Sequence, residues 1–286
     1  MTSFANKWHA IKQITRLDKP IGTYLLLWPT YWALWVACDG WPSSHLLIVF
    51  TVGVVVMRSA GCVINDYADR HVDGQVERTE QRPLVTGLMT NQEAISLFGF
   101  LIGIALALVS TLSWYTISLS VVAVILAMAY PFMKRFTHLP QVILGAAFSW
   151  GMIMAFAEAK GEIPIVAWML FGANVLWTVA YDTMYAMVDR DDDVKIGVKS
   201  TAILFGEYDK RIIGFLQLAT LALLFTVGEI LAFGWPYHLS LVIVGGLFSY
   251  QQMLIAGRDR QLCFKAFLNN HFVGLVVFIG ILIESL

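Results

Sequence analysis

Nine long apolar runs divide this chain of 286 residues, and that repetition restricts what it can fold into. A helix needs ~20 predominantly apolar residues to cross the ~30 Å hydrocarbon core of a bilayer. Scanned on that length, the chain predicts spans near 21–38, 46–66, 94–112, 114–132, 140–157, 163–182, 212–233, 238–256 and 267–284. In lipid every backbone N–H and C=O must be bonded within the protein, which leaves helices or closed barrels. The runs are continuous and lack the alternation of barrel strands, so helices are expected. With 58% hydrophobic and 14% charged residues there is too little polar surface for a water-soluble globule. The fold class expected is therefore all-α, a polytopic membrane protein of about nine transmembrane helices, organised as a single domain over residues 1–286. The first run is long, aromatic-rich and without a small-residue cleavage site, so it reads as a retained span and not a signal peptide.

Nine spans put the two termini on opposite sides, and the basic residues choose the sides. Lys7, Lys12, Arg16 and Lys19 precede the first span, and Arg70, Arg78 and Arg82 fall in the second loop. Lys134 and Arg135 fall in the fourth, Arg190, Lys195, Lys199, Lys210 and Arg211 in the sixth, and Arg258, Arg260 and Lys265 in the eighth. Lys160 alone lies on the other side, and Arg58 lies within a span. By the positive-inside rule the N-terminus and the even-numbered loops are cytoplasmic. Cys38, Cys62 and Cys263 have no metal-ligand spacing and read as packing residues.

Against this background VINDYADRHVDG, residues 63–74, stands out, because it sets Asp66, Asp69 and Asp73 at the cytoplasmic end of the second span. On a helix these positions form one stripe, flanked by Asn65. A second acidic run, YDTMYAMVDRDDD, ends the sixth span on the same side with Asp182, Asp189 and Asp193 on one stripe. Asp66, Asp69 and Asp73 match Asp182, Tyr185 and Asp189 at a constant offset of 116 residues, the mark of a weak internal duplication. Carboxylates that would repel one another are gathered to hold a divalent cation, and hard oxygen donors suit Mg²⁺, which bridges to substrate phosphates. Two facing stripes would hold a diphosphate through metal. Asp191 and Asp192 point off the stripe and read as exposed loop residues.

The paired patterns NDxxDxxxD (Asn65 to Asp73) and DxxYAxxDxxxD (Asp182 to Asp193) resemble the two aspartate motifs of the UbiA superfamily of intramembrane aromatic prenyltransferases. The stretches DKPIGTYLLLWPTYWALW, YPFMKRFTHLPQ and YDTMYAMVDRDDDVKIGVKSTAILFG extend the resemblance over most of the chain. It implies a nine-helix bundle around a central cavity, dependence on Mg²⁺, and transfer of a polyprenyl chain from a polyprenyl diphosphate to 4-hydroxybenzoate, as in ubiquinone biosynthesis. The implied setting is a bacterial inner membrane, with the bilayer and the two substrates as partners and no nucleic acid. Homogentisate, dihydroxynaphthoate or haem are the alternative acceptors within the superfamily.

The residues agree with such chemistry. Metal on the two stripes, formed by Asn65, Asp66, Asp69, Asp73, Asp182, Asp189 and Asp193, would neutralise the diphosphate as the allylic C–O bond breaks. An aromatic-lined, dry pocket would protect the resulting cation. Asp189 is one option for the final proton acceptor. Arg58, costly inside a span, lies seven residues before Asn65 and would enter the pocket below the metals, where a planar cation fits a benzoate carboxylate or a diphosphate oxygen. Tyr130, Lys134 and Arg135 close the fourth span, where Pro131 is expected to break the helix. Lys134 is assigned to the diphosphate and Arg135 to the carboxylate, although both also serve as topogenic charge. Tyr185, Lys195 and Lys199 are further substrate-binding candidates, and Arg70 is a weaker one. His71 and His138 read as surface residues. A cation-coupled transporter also carries intramembrane carboxylates, but its site lies near the midplane on interrupted helices and not at one edge.

Overall fold

A computed structural model describes residues 4–75 and 79–286, so Arg78 of the topological argument lies outside the described residues. All regular structure among the described residues is helical. In chain order the helices are α1 (Phe4–Ile14), α2 (Ile21–Ala37), α3 (Ser44–Asp69), α4 (Asn91–Val109), α5 (Trp114–Phe136), α6 (Pro140–Lys160), α7 (Ile165–Ile196), α8 (Thr201–Phe205), α9 (Asp209–Ile230), α10 (Trp235–Ile255) and α11 (Arg260–Glu284). Among the described residues eight helices of 18 or more residues have the length and composition to cross a membrane, and α2, at 17 residues, supplies the ninth expected span. The protein is an integral membrane protein.

The helix ends follow from local chemistry. Ser43 and Ser113 accept bonds from the backbone N–H groups of Leu46 and Thr116, capping α3 and α5. Thr90 and Glu93 form a reciprocal capping box on α4. Asp259 caps α11 through Leu262 N at 2.9 Å, and Gly161, at φ 70°, closes α6 in the left-handed conformation. The links at residues 38–43, 110–113, 161–164 and 231–234 are short and lie at one end of the bundle. The polar segments at 70–75, 79–90 and 197–208 lie at the other end. There α1 lies against α3, burying Ala10 and Ile14 with Val63, Met89 and Ala94.

The core joins α2, α6, α7 and α11 through buried aromatic residues. The rings of Trp32 and Trp177 stack with centroids 5.6 Å apart. Trp32 Nε1 donates to the Gly274 carbonyl at 2.9 Å, and Trp177 Nε1 donates to Asn270 Oδ1 at 2.8 Å. A Cβ on Gly274 would stand 2.8 Å from Trp28, so this position needs glycine for α11 to approach α2. By contrast α4 and α5 bury almost nothing, with only Ala94, Val109, Thr116 and Pro131 inside, as expected of helices facing lipid.

Two elements differ from the sequence expectation. Pro131 does not end α5, which runs on to Phe136. Its ring nitrogen merely cannot donate to the Ala127 carbonyl one turn back, and both residues form part of a cavity wall. Second, α7 continues fourteen residues past the predicted end of the sixth span at Asp182, so Asp191 and Asp192 are helical. A hydropathy scan stops where charge begins, but Asp182, Asp189, Asp192 and Asp193 face an internal cavity and its mouth, where a helix keeps its backbone satisfied.

Candidate active site

Both acidic runs line one cavity of about 1360 Å³ that opens at the polar end of the bundle. Asn65, Asp66, Asp69 and Asp73 reach it from α3 and the turn that follows, and Asp182, Tyr185, Asp189 and Asp193 reach it from α7. The first stripe is not continuous helix. α3 ends at Asp69, a bond from Val72 N to Asp69 O closes a turn at 2.8 Å, and Asp73 starts a single 3₁₀ turn that returns its carboxylate to the same cavity. Exposure is 1% for Asp66, 2% for Asp69, 6% for Asp73 and 9% for Asp189, far below the usual state of solvated acidic helix ends.

Burial on this scale requires compensation. Arg16 Nη2 bridges both Asp66 oxygens at 2.9 and 3.0 Å. Arg82 Nη1 lies 3.0 Å from Asp66 Oδ1 and 2.6 Å from Asp73 Oδ2. Lys134 pairs with Asp69 Oδ2. Neither Arg16 nor Arg82 was marked by the sequence beyond its count as loop charge, because their partners are fixed only by the fold. Asp73 lies outside the spanning helices, and burial pushes its carboxyl up to about 6 against the opposing pull of Arg82.

The donor set suits a hard divalent cation: six carboxylates and an amide on two helix ends, in a cavity with basic groups placed for phosphate. One observation supports the fit directly, since Asp69 Oδ1 is buried without any hydrogen-bond partner. Among the described residues no three acidic, His or Cys side chains converge on a common point. The first run's carboxylates turn instead to Arg16, Arg82 and Lys134.

Deeper on α3, Arg58 lines the same cavity, with its Nη1 donating to Cys62 Sγ at 2.6 Å and its Nε buried without a partner. Tyr130, Tyr181 and Tyr185 share that part of the wall, and Tyr185 packs on Phe267 with centroids 4.6 Å apart. Beyond Arg58 the wall turns apolar along α3 to α6, through Val49, Phe50, Leu108, Val109 and Leu112. Lys134 and Lys199 also belong to the wall.

Other expected residues fall elsewhere. Arg135 is exposed outside the cavity, with Nη2 on the Ala68 carbonyl at 2.6 Å and its guanidinium over the Phe132 ring, because it follows Lys134 by one residue and so points off its face. Lys195 is solvent-exposed and 3.4 Å from Asp192. Arg70 stacks on Tyr67 away from the wall. His71 and His138 are at the surface. Asp191 is exposed, but Asp192 lines the cavity mouth, where Arg260 Nη1 meets it at 3.2 Å, so the loop reading fails for Asp192 in both structure and place.

The geometry has close relatives. A model of the UbiA prenyltransferase family matches residues 26–276. A protein of Colwellia psychrerythraea named 4-hydroxybenzoate octaprenyltransferase is 75% identical, over 98% of each chain. One of the same name from Yersinia enterocolitica is 57% identical over 100% of this chain and 99% of its own. In solved structures the fold recurs in a UbiA homolog from Aeropyrum pernix K1, with TM-score 0.81 and 24% identity over 92% of this chain and 98% of that one. It recurs too in a UbiA homolog from Archaeoglobus fulgidus bound to GPP and Mg²⁺, with TM-score 0.74 and 18% identity over 96% and 99%. The matched region takes in both acidic runs and nearly every spanning helix, and on that ground the chain belongs to the UbiA prenyltransferase family.

Proposed function

We propose that this protein transfers a polyprenyl group from a polyprenyl diphosphate to 4-hydroxybenzoate, ortho to the hydroxyl, releasing diphosphate in ubiquinone biosynthesis. The observation that carries the reading is the meeting of two acidic runs, with Asp66, Asp69, Asp73 and Asp189 buried, in a single cavity that basic residues flank and whose deeper wall is apolar and aromatic. The name shared by relatives at 57–75% identity supports the choice of substrates.

In this reading Asn65, Asp66, Asp69, Asp73, Asp182, Asp189 and Asp193 would hold Mg²⁺, which would supply charge neutralisation to the leaving diphosphate. Lys134, Lys199 and Arg82 stand on the same wall and bind its remaining oxygens. The allylic C–O bond breaks with its electron pair passing to the diphosphate. Tyr130 and Tyr185 face the developing allylic cation, and the apolar wall keeps water from it. Arg58, below the carboxylates, pairs with the acceptor's carboxylate and so presents the ring carbon ortho to the hydroxyl. A C–C bond forms there and the ring proton leaves, with Asp189 as the acceptor nearest in role. Arg135 and Lys195, outside the wall, remain topogenic charges in this scheme. The positive-inside pattern supports a cytoplasmic N-terminus and cavity mouth, and the bacterial relatives support an inner-membrane setting.

An assay of membranes containing the protein tests the reading. Incubation with 4-hydroxybenzoate and a series of polyprenyl diphosphates is expected to release diphosphate and yield prenylated 4-hydroxybenzoate, with loss on EDTA and recovery on Mg²⁺. Turnover with dihydroxynaphthoate or homogentisate and none with 4-hydroxybenzoate would overturn the acceptor.

A further inference from the structure

Arg58 owes its position to a residue on a different helix. Gly22, buried in the first turn of α2, faces the Arg58 side chain so closely that an added Cβ would overlap Nε and Nη2 and stand 2.8 Å from Cζ. All three of the nearest atoms belong to that one guanidinium. The planar group therefore lies against the bare backbone of α2, and its Nη1 donates to Cys62 Sγ at 2.6 Å. Gly22 does not have the left-handed backbone that would demand glycine, and within a helix alanine is the better former. Glycine here weakens α2 and gives only room, and the room is filled by the guanidinium.

We propose that Gly22 is the positioning residue for Arg58: by lacking a Cβ it seats the guanidinium in the cavity wall and thereby sets affinity for the carboxylate of the aromatic acceptor. The proposal rests on the assignment of Arg58 to that carboxylate. A methyl group at position 22 would collide with the flexible end of a side chain and not with backbone, so the fold persists while the guanidinium is displaced.

The test uses the full-length protein in membranes, with Gly22→Ala, Arg58→Ala and the double variant. Gly22→Ala is expected to raise KM for 4-hydroxybenzoate about tenfold or more, leave KM for the polyprenyl diphosphate within about twofold, and leave the melting temperature in detergent unchanged or higher. In the Arg58→Ala background the same substitution is expected to add nothing, because the group it displaces is gone. If Arg58→Ala raises the acceptor KM while Gly22→Ala does not, or if the two effects multiply, Gly22 has no positioning role and the proposal falls alone. If Arg58→Ala leaves the acceptor KM unchanged, the carboxylate assignment fails and the proposal falls with it.

Discussion

Asp69 concentrates the chemistry of the site in one side chain: one oxygen is paired with Lys134, and the other is buried with no partner at all. Such a group is held at a cost of about 1–3 kcal/mol unless something else uses it, and a metal-bound diphosphate is what the cavity would bring. The division of labour among the basic residues follows from depth. Lys134 stands beside the carboxylates and Arg58 two turns deeper. Arg58→Ala is therefore expected to raise KM for 4-hydroxybenzoate far more than KM for the polyprenyl diphosphate, because a charge-assisted contact of ~1.5–3 kcal/mol is lost to one substrate only. Lys134→Ala should show the opposite bias. Steady-state kinetics on variants of wild-type thermal stability read both, and an effect of Arg58→Ala confined to the diphosphate would place Arg58 among the phosphate ligands. At this scale the meeting of Asp66 and Asp69 in one cavity was legible from helical spacing, whereas Asp73 returns to it through a turn that the spacing did not show. Arg16 was not legible, because its partner Asp66 is 50 residues away and an arginine in a basic N-terminal segment looks like any topogenic charge.

Among the elements, α7 carries the second acidic run two turns and more beyond its apolar stretch, and its placement depends on the polar links at the same end. Asp209, fully buried at the start of α9, accepts three bonds from Arg258 at 2.7 to 3.2 Å and lies 3.5 Å from Arg190 of α7. Arg258 adopts φ 55°, a backbone conformation that a non-glycine residue keeps only when its surroundings hold it. The carboxylate beside Arg258 holds its guanidinium above the usual arginine value, so it is charged at any working pH. Arg258→Ala is expected to destabilise the protein by about 1–3 kcal/mol through the buried carboxylate left with a weaker partner. Thermal melting in detergent measures this, and an unchanged melting temperature would show that the link carries no stability. The long spans were readable because length and apolarity suffice to identify a membrane helix. The end of α7 was not, since a charged helical surface turned to an internal cavity is indistinguishable by hydropathy from a loop.

For the whole molecule, the basic residues gathered on one side of the spans predict its orientation. A cysteine at the exposed position of Glu80 should react with a membrane-impermeant thiol reagent only from the cytoplasmic side, and one at Glu162 only from the opposite side, after subtraction of labelling in the parent protein. Labelling of both from one side would overturn the assignment. Mg²⁺-dependent binding of a polyprenyl diphosphate to the wild type and to Asp69→Asn and Asp189→Asn shows whether the two acidic runs act together on one metal-bound diphosphate. Each single variant, one from each run, is expected to stay inserted and folded yet lose Mg²⁺-dependent binding together with turnover. Wild-type binding and near wild-type rate in either variant at saturating Mg²⁺ would contradict that joint action.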